Sequence, residues 1–315
     1  MKHQNEFTAY LQSKDLAASS ITHYTDYTDK FFKHIGKQAE QVQKKDVLKH
    51  LQYLKDRKGY ENITRRNHLL ALNHYFTFLY QSERVAENPC LLIKIRGTQK
   101  TSLYNIFTAE ALEQLYDNYY HCFIRTYDDS HMPQNQRKNC LLSRERNGAL
   151  LSLLVHQGTT TKELDTLLLD DLDLIKATVK IQGGKKSNER TLPLNAPQIG
   201  LLMHYTENIR PQLLEYHTAE SNKLFLPLPE YSKRTTSNDT IMHVFKPLTK
   251  HVKSIEPAFL NFKQVRASVI TLWLKTVGLR KAQYLAGHRY ISSTERYQPN
   301  NLQGLTADIN KLHPF

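Results

Sequence analysis

The sequence predicts a mainly α-helical protein with one small β-hairpin, laid out as two domains. Three observations carry this. Apolar residues recur at helical spacing through most of the chain. Two β-like runs, Thr178-Val179-Lys180-Ile181 and Arg190-Thr191-Leu192-Pro193-Leu194, flank a Gly183-Gly184 turn. A polar, basic stretch from Ile93 to Asn105, through Arg96-Gly97-Thr98-Gln99-Lys100, reads as a linker between two patterned regions. At 315 residues with 40% hydrophobic composition, the chain can bury two cores.

The first domain, residues 1–95, reads as a bundle of four short helices. Phe7, Tyr10 and Leu11 open the pattern. Ser19 or Ser20 is expected to cap a second helix with the stripe Ile21, Tyr24, Phe31, Phe32 and Ile35, stopped by Gly36. Val47, Leu48, Leu51 and Leu54 form a third face that ends near Gly59. Leu69, Leu72, Phe76 and Leu79 form a fourth, and Asn88-Pro89-Cys90 closes the bundle. Arg57-Lys58 and Arg65-Arg66 stand around the start of the fourth helix, where cations and a helix N-terminus both suit backbone phosphates. A solvated charged face is the competing reading of the same residues.

Past a linker at residues 96–106, the second domain spans 107–315. Thr108 is expected to cap a helix through Leu112 and Leu115. Residues 120–140 are polar, contain Pro133, and read as a surface loop; His121 and His131 there show no ligand spacing. Leu150 to Val155 reads as a buried helix, and the hairpin follows. Further helices are expected at Pro197–Tyr205, at Asp239–Val252, and from Lys263 to Gly278.

A formal charge of +13 suits a polyanionic partner, nucleic acid before an anionic membrane. No run approaches the ~18 apolar residues of a membrane span. The opening Met1-Lys2-His3-Gln4-Asn5-Glu6 has no signal-type apolar segment. Cys90, Cys122 and Cys140 are sparse, odd in number and without metal spacing, which fits a reducing compartment. The expected location is the cytoplasm, on the nucleoid.

The chemistry concentrates between Lys263 and Tyr297. Lys263 and Arg266, three apart, share a helix face. Ala286-Gly287-His288 and Ser293-Thr294-x-x-Tyr297 follow. Such a set suits a tyrosine that attacks a phosphodiester while cations and a histidine hold the growing charge. In order and spacing the stretch resembles the end of the tyrosine recombinases, the phage-integrase family. That family reads His-x-x-Arg, Leu-Gly-His and Thr-Thr-x-x-Tyr, so Lys263 stands where it usually has histidine. Gly158-Thr159-Thr160-Thr161-Lys162-Glu163-Leu164 resembles its Gly-Leu-Arg-x-x-Glu-Leu box, with Thr160 in place of the first catalytic arginine. Counting back from Pro193-Leu194 puts the family's hairpin lysine on Lys185.

The resemblance implies a two-domain clamp on double-stranded DNA: a helical core-binding domain and a mixed α+β catalytic domain. It implies Tyr297 as nucleophile, with Arg266, His288, Lys185 and Lys263 on the phosphate, a 3′-phosphotyrosine intermediate, and no metal or nucleotide cofactor. DNA contacts are expected at Arg57, Lys58, Arg65, Arg66, Arg96, Lys100, Lys186 and Arg190. For the missing arginine, Arg190 is the first substitute, with Arg144, Arg146 and Lys162 behind it. Glu163 is expected to be structural. Leu302, Leu305, Ile309 and Leu312 recur helically after Tyr297. In the family such a tail docks on the next subunit of a DNA-bound tetramer; docking on its own subunit is the alternative. Two further readings stay open: a type IB topoisomerase, which shares the chemistry, and a catalytically lapsed recombinase acting as an architectural or regulatory DNA-binding protein.

Overall fold

A computed structural model describes residues 3–97, 104–184, 187–217, 220–228 and 240–298. The chain divides into two compact units, Met1–Thr101 and Ser102–Phe315. No helix among the described residues is long and apolar enough to cross a membrane.

The first unit holds α1 (Gln4–Ser13), α2 (Ala18–Ile35), α3 (Lys44–Asp56) and α4 (Asn62–Gln81). Helix α2 begins one residue ahead of the expected serine caps. Its N-cap is Ala17, whose side chain has nothing to accept with, so neither Ser19 nor Ser20 caps it. Gly36 ends it with φ 67°, the left-handed conformation that costs glycine least. Helix α3 starts on a capping box between Gln43 and Asp46. Phe7, Phe31, Val47, Leu72 and Phe76 lose all solvent exposure in one core, whereas Leu48 turns outward. Asn88 fastens the chain after α4: its amide donates to the Asn73 and Thr77 side chains, both at 3.0 Å, and its oxygen accepts from the Cys90 N–H.

Several histidines sit among the rings of this unit. His34 stacks on Tyr53 with centroids 4.0 Å apart, and His68 on Tyr27 at 4.1 Å. His50 meets His34 Nδ1 to Nδ1 at 3.1 Å. His50 and His68 are buried, and burial pushes their pKa values down to about 3 and about 4.

The second unit opens with α5 (Ala109–Tyr120), capped by the Thr108 hydroxyl as expected. The region read as a loop is mostly helical. A π-turn over His121–Arg125 extends α5, and α6 starts at Gln134 and runs 23 residues to His156. Its first half is mostly polar, with Leu142 and Arg144 turned inward, and its apolar second half, Ala149–Val155, fills the core, which masked the helical period. Short α7 (Thr161–Thr166) follows. Strands β1 (Leu172–Asp173), β2 (Thr178–Ile181) and β3 (Arg190–Pro193) form one antiparallel sheet in that order, with Ile181 opposite Arg190. Helices α8 (Ala196–His204), α9 (Arg210–Leu214), α10 (Phe245–Ile255), α11 (Phe262–Ala286) and α12 (Ile291–Glu295) complete it. Helix α10 begins six residues after the predicted start at Asp239. Gly278 breaks α11 at φ 78° and ψ 171°, and the helix resumes beyond it.

Candidate active site

Helix α11 is set by Asn261, whose side chain accepts from the N–H groups of Lys263 and Gln264. One turn in, Arg266 reaches across to two backbone carbonyls. It donates to Gly158 O through Nη1 and to Ala286 O through Nη2, the latter at 2.6 Å. Its guanidinium is thereby fixed between the loop before α7 and the end of α11. Lys263 lies exposed in the first turn of α11.

The segment from Gly287 to Tyr297 wraps back onto Arg266. Gly287 caps α11 at φ 69°. His288 Nδ1 lies 2.9 Å from the Thr294 hydroxyl, and its ring stacks on Tyr297 with centroids 5.7 Å apart and planes at 13°. Tyr297 follows α12, and its phenol lies within electrostatic reach of Arg266. Burial, then the charges of Arg266 and Arg190, hold the His288 pKa at about 4. The ring is therefore neutral at pH 7. If Nδ1 accepts from Thr294, Nε2 is left as the donor. Burial also lowers the Arg266 pKa, but the group stays charged at neutral pH.

The β2–β3 hairpin is clipped to the same turn. Asn188 N–H donates to Gly287 O at 2.9 Å, and Ser187 pairs with His288 as an isolated β-bridge. Gly184 and Ser187 bridge across the hairpin end. Lys185 and Lys186 lie between them, outside the described residues, as do Lys100 and the tail with Leu302 to Leu312.

Thr160 does not point a substitute donor at the site. It is the N-cap of α7, in a capping box where its oxygen accepts from Glu163 N–H and the Glu163 carboxylate accepts from Thr160 N–H at 2.7 Å. The Thr-x-x-Glu spacing was the sequence signal for this role. Arg190 was expected on DNA or on the phosphate, yet its side chain is fully buried. It points under the sheet as the partner of Glu163, Nη1 to Oε1 at 2.7 Å. Arg146 is buried against Asn147 and the Leu226 carbonyl, and Arg144 lies over the Tyr127 ring, so both bond elsewhere. Lys162 is exposed on α7.

In the first unit Arg57, Lys58, Arg66 and Arg96 are exposed. Arg65 is not free in the same way. Its Nε donates to Leu51 O and its Nη1 to Asn62 Oδ1, tying α4 to α3.

Sequence reasoning missed Thr294 as the partner of His288 and the two carbonyls that orient Arg266. Backbone acceptors leave no mark in a sequence.

The described site thus gathers a tyrosine and a neutral histidine on one turn, with a fixed guanidinium from α11 beside it, in an α+β unit. A model of the phage integrase family matches residues 124–303. That is more than half of the chain, and the chain belongs to this family, that of the tyrosine recombinases. It is 27% identical over 310 residues to the tyrosine recombinase XerC of Natranaerobius thermophilus, covering 94% of each chain. Its fold is similar to that of the XerH site-specific recombinase bound to palindromic difH substrate, at TM-score 0.65 and 17% identity over 95% of this chain and 82% of that one. It is also similar to a lambda integrase tetramer bound to a Holliday junction, at TM-score 0.59 and 14% identity over 93% and 75%.

Proposed function

We propose that this chain is a site-specific DNA recombinase that cleaves and rejoins DNA through a phosphotyrosine at Tyr297. The observation that carries the reading is the placement of Tyr297 on His288 and beside Arg266, from residues 31 positions apart or fewer. Family membership supports it.

A phenol ionises near pH ~10 in model compounds, so the nucleophile needs a positive field. Arg266 supplies that field and binds the non-bridging oxygens of the phosphate, whose geometry its fork matches. His288 Nε2 donates to the same phosphate. The Tyr297 oxygen forms the bond to phosphorus, its proton passing to water, and the bond to the 5′-oxygen breaks. Lys185 protonates that leaving oxygen, and Lys263 adds charge at the entrance. The reverse step, attack by a 5′-hydroxyl, rejoins the strand. Bond energy is conserved in the phosphotyrosine, so the cycle needs no metal or nucleotide. Residues 1–95 serve as the core-binding half of a clamp on double-stranded DNA, with Arg57, Lys58 and Arg66 on phosphates and Arg96 of the linker on a further one. The lambda integrase neighbour is a tetramer on its junction, which supports a homotetramer here; the tail after Tyr297 is the segment proposed to join its subunits.

A nicked suicide duplex tests the reading, because the fragment beyond the cut diffuses away and traps the adduct. The expected result is a covalent protein–DNA species whose phosphate maps to Tyr297. DNA binding without any adduct would leave a catalytically lapsed DNA-binding protein in its place.

A further inference from the structure

Arg190 and Glu163 lie behind the site, and their geometry gives them a task. The Arg190 guanidinium is fully buried and pairs with Glu163 through Nη1, while Nε and Nη2 have no hydrogen-bond partner among the described residues. The other oxygen of Glu163 lies 3.8 Å from Arg266 Nη1. One carboxylate is therefore shared by two guanidiniums. Burial opposes ionisation of Glu163, yet the Arg190 hydrogen bond and the charges of Arg190 and Arg266 hold its carboxyl below the usual range. His288 is neutral, so two cations against one anion leave this pocket one net positive charge. Arg190 also lies flat against the catalytic turn. A methyl group on Gly287 would collide with Nη1 and stand 3.0 Å from Cζ.

We propose that Arg190 is a positioning residue that holds Glu163 away from Arg266, so that the charge of Arg266 remains available to the phosphate. The inference rests on the recombinase reading above. Without Arg190, the nearest cation to Glu163 is Arg266, and a carboxylate closing on it would cancel the field that Tyr297 and the phosphate need. A chain with Thr160 where a further arginine would stand has little charge to spare. Arg190 does not replace that arginine on the phosphate; it protects the guanidinium that is there.

Single-turnover cleavage of the nicked duplex, with affinity measured on the same duplex, tests this in three variants. Arg190→Met should cleave roughly 100-fold more slowly, the loss typical of a transition-state donor, with affinity nearly unchanged. Arg190→Lys, which keeps the charge, should lose far less. Glu163→Gln with Arg190→Met removes the quenching carboxylate as well, keeps an N3 residue fit for the capping box, and should recover at least about tenfold over Arg190→Met. A double variant no faster than Arg190→Met, or Arg190→Lys as slow as Arg190→Met, would overturn the proposal. Should Arg190→Met fail to fold, Arg190→Gln takes its place under the same criteria. Wild type without adduct refutes the recombinase reading instead, and the brace is then read from His288 by NMR titration. Its pKa should rise in Arg190→Met and fall back in the double variant; an unmoved titration overturns the brace.

Discussion

The two units bury polar groups in opposite ways. The first unit buries His50 and His68 as neutral rings, packed among aromatic side chains and stripped of protons by their surroundings. The second buries guanidiniums that remain charged, with one carboxylate between two of them. A neutral buried ring asks only for packing, and its cost appears when acid forces a proton onto it. A buried, incompletely compensated cation is costly at every pH, and such a cost is retained where the charge has work to do. The contrast separates a unit built to hold its shape from one built to hold a charge.

The largest effect should come from the charged unit alone. Tyr297→Phe removes the nucleophilic oxygen and keeps the ring that stacks on His288. Cleavage of the suicide duplex should fall below detection, while affinity in a gel-shift assay changes less than about threefold. Phosphate found on another tyrosine, such as the exposed Tyr290, would break the assignment and the contrast with it.

Gly287→Ala comes next. Its left-handed φ and the Arg190 guanidinium in the path of a Cβ both oppose it. Together these terms should cost about 3 kcal/mol, seen as lower thermal stability in the second unit, with slower cleavage because the turn carries His288. The first unit should melt unchanged, and a loss spread equally over both would contradict their independence.

Acid should reverse the ranking. The folded pKa values of His50 and His68, about 3 and about 4, lie below the ordinary 6.5. Below pH 6.5 the unfolded chain takes up protons that the folded rings refuse. Stability is therefore complete above that pH and is lost as pH falls toward the folded values. At pH 5 each ring costs the first unit up to about 2 kcal/mol. The second unit has His288 in its site, at about 4, and burial also lowers the pKa values of His156 and His251, though by less than that of His50. Fluorescence of Trp273, the single tryptophan, reports the second unit, and histidine NMR signals report the first. On acidification the first unit should melt earlier; a simultaneous transition would show that the rings are not what sets its acid limit.

How much of this was legible in the sequence follows the same division. The first unit's helices were read from Phe31, Leu51, Leu72 and Phe76, because its core is apolar and periodic, and only the cap of α2 and the outward Leu48 differed. The site's Arg266, His288 and Tyr297 were read from motif spacing, and the structure brings them together. The partners of Thr160 and Arg190 were not read. Thr160's partner stands only three residues on, in a capping-box spacing, whereas Arg190's polar partner lies 27 positions away, and no periodicity records a pairing such as Glu163 with Arg190. The helix in residues 134–156 was hidden for a different reason: its first half is mostly polar, with Cys140, Leu141 and Leu142 its only apolar residues.

The smallest effect distinguishes two neighbours within the first unit. Arg65 and Arg66 are adjacent in sequence and equal in formal charge, and chain order alone assigns both to DNA. The structure turns Arg65 inward to the Leu51 carbonyl and Asn62, and leaves Arg66 exposed. Arg65→Gln should therefore cost about 1 kcal/mol of stability for its lost hydrogen bonds and leave most of the salt dependence of binding intact. Arg66→Gln should leave stability unchanged and lower the slope of log affinity against log salt by about 0.9, one phosphate contact. Thermal melts and salt-dependent binding on the two variants read both quantities. Equal slopes would mean that Arg65 keeps a phosphate through its remaining Nη2 while it ties α4 to α3. A slope unchanged in Arg66→Gln would move the DNA-facing surface of this unit away from the start of α4.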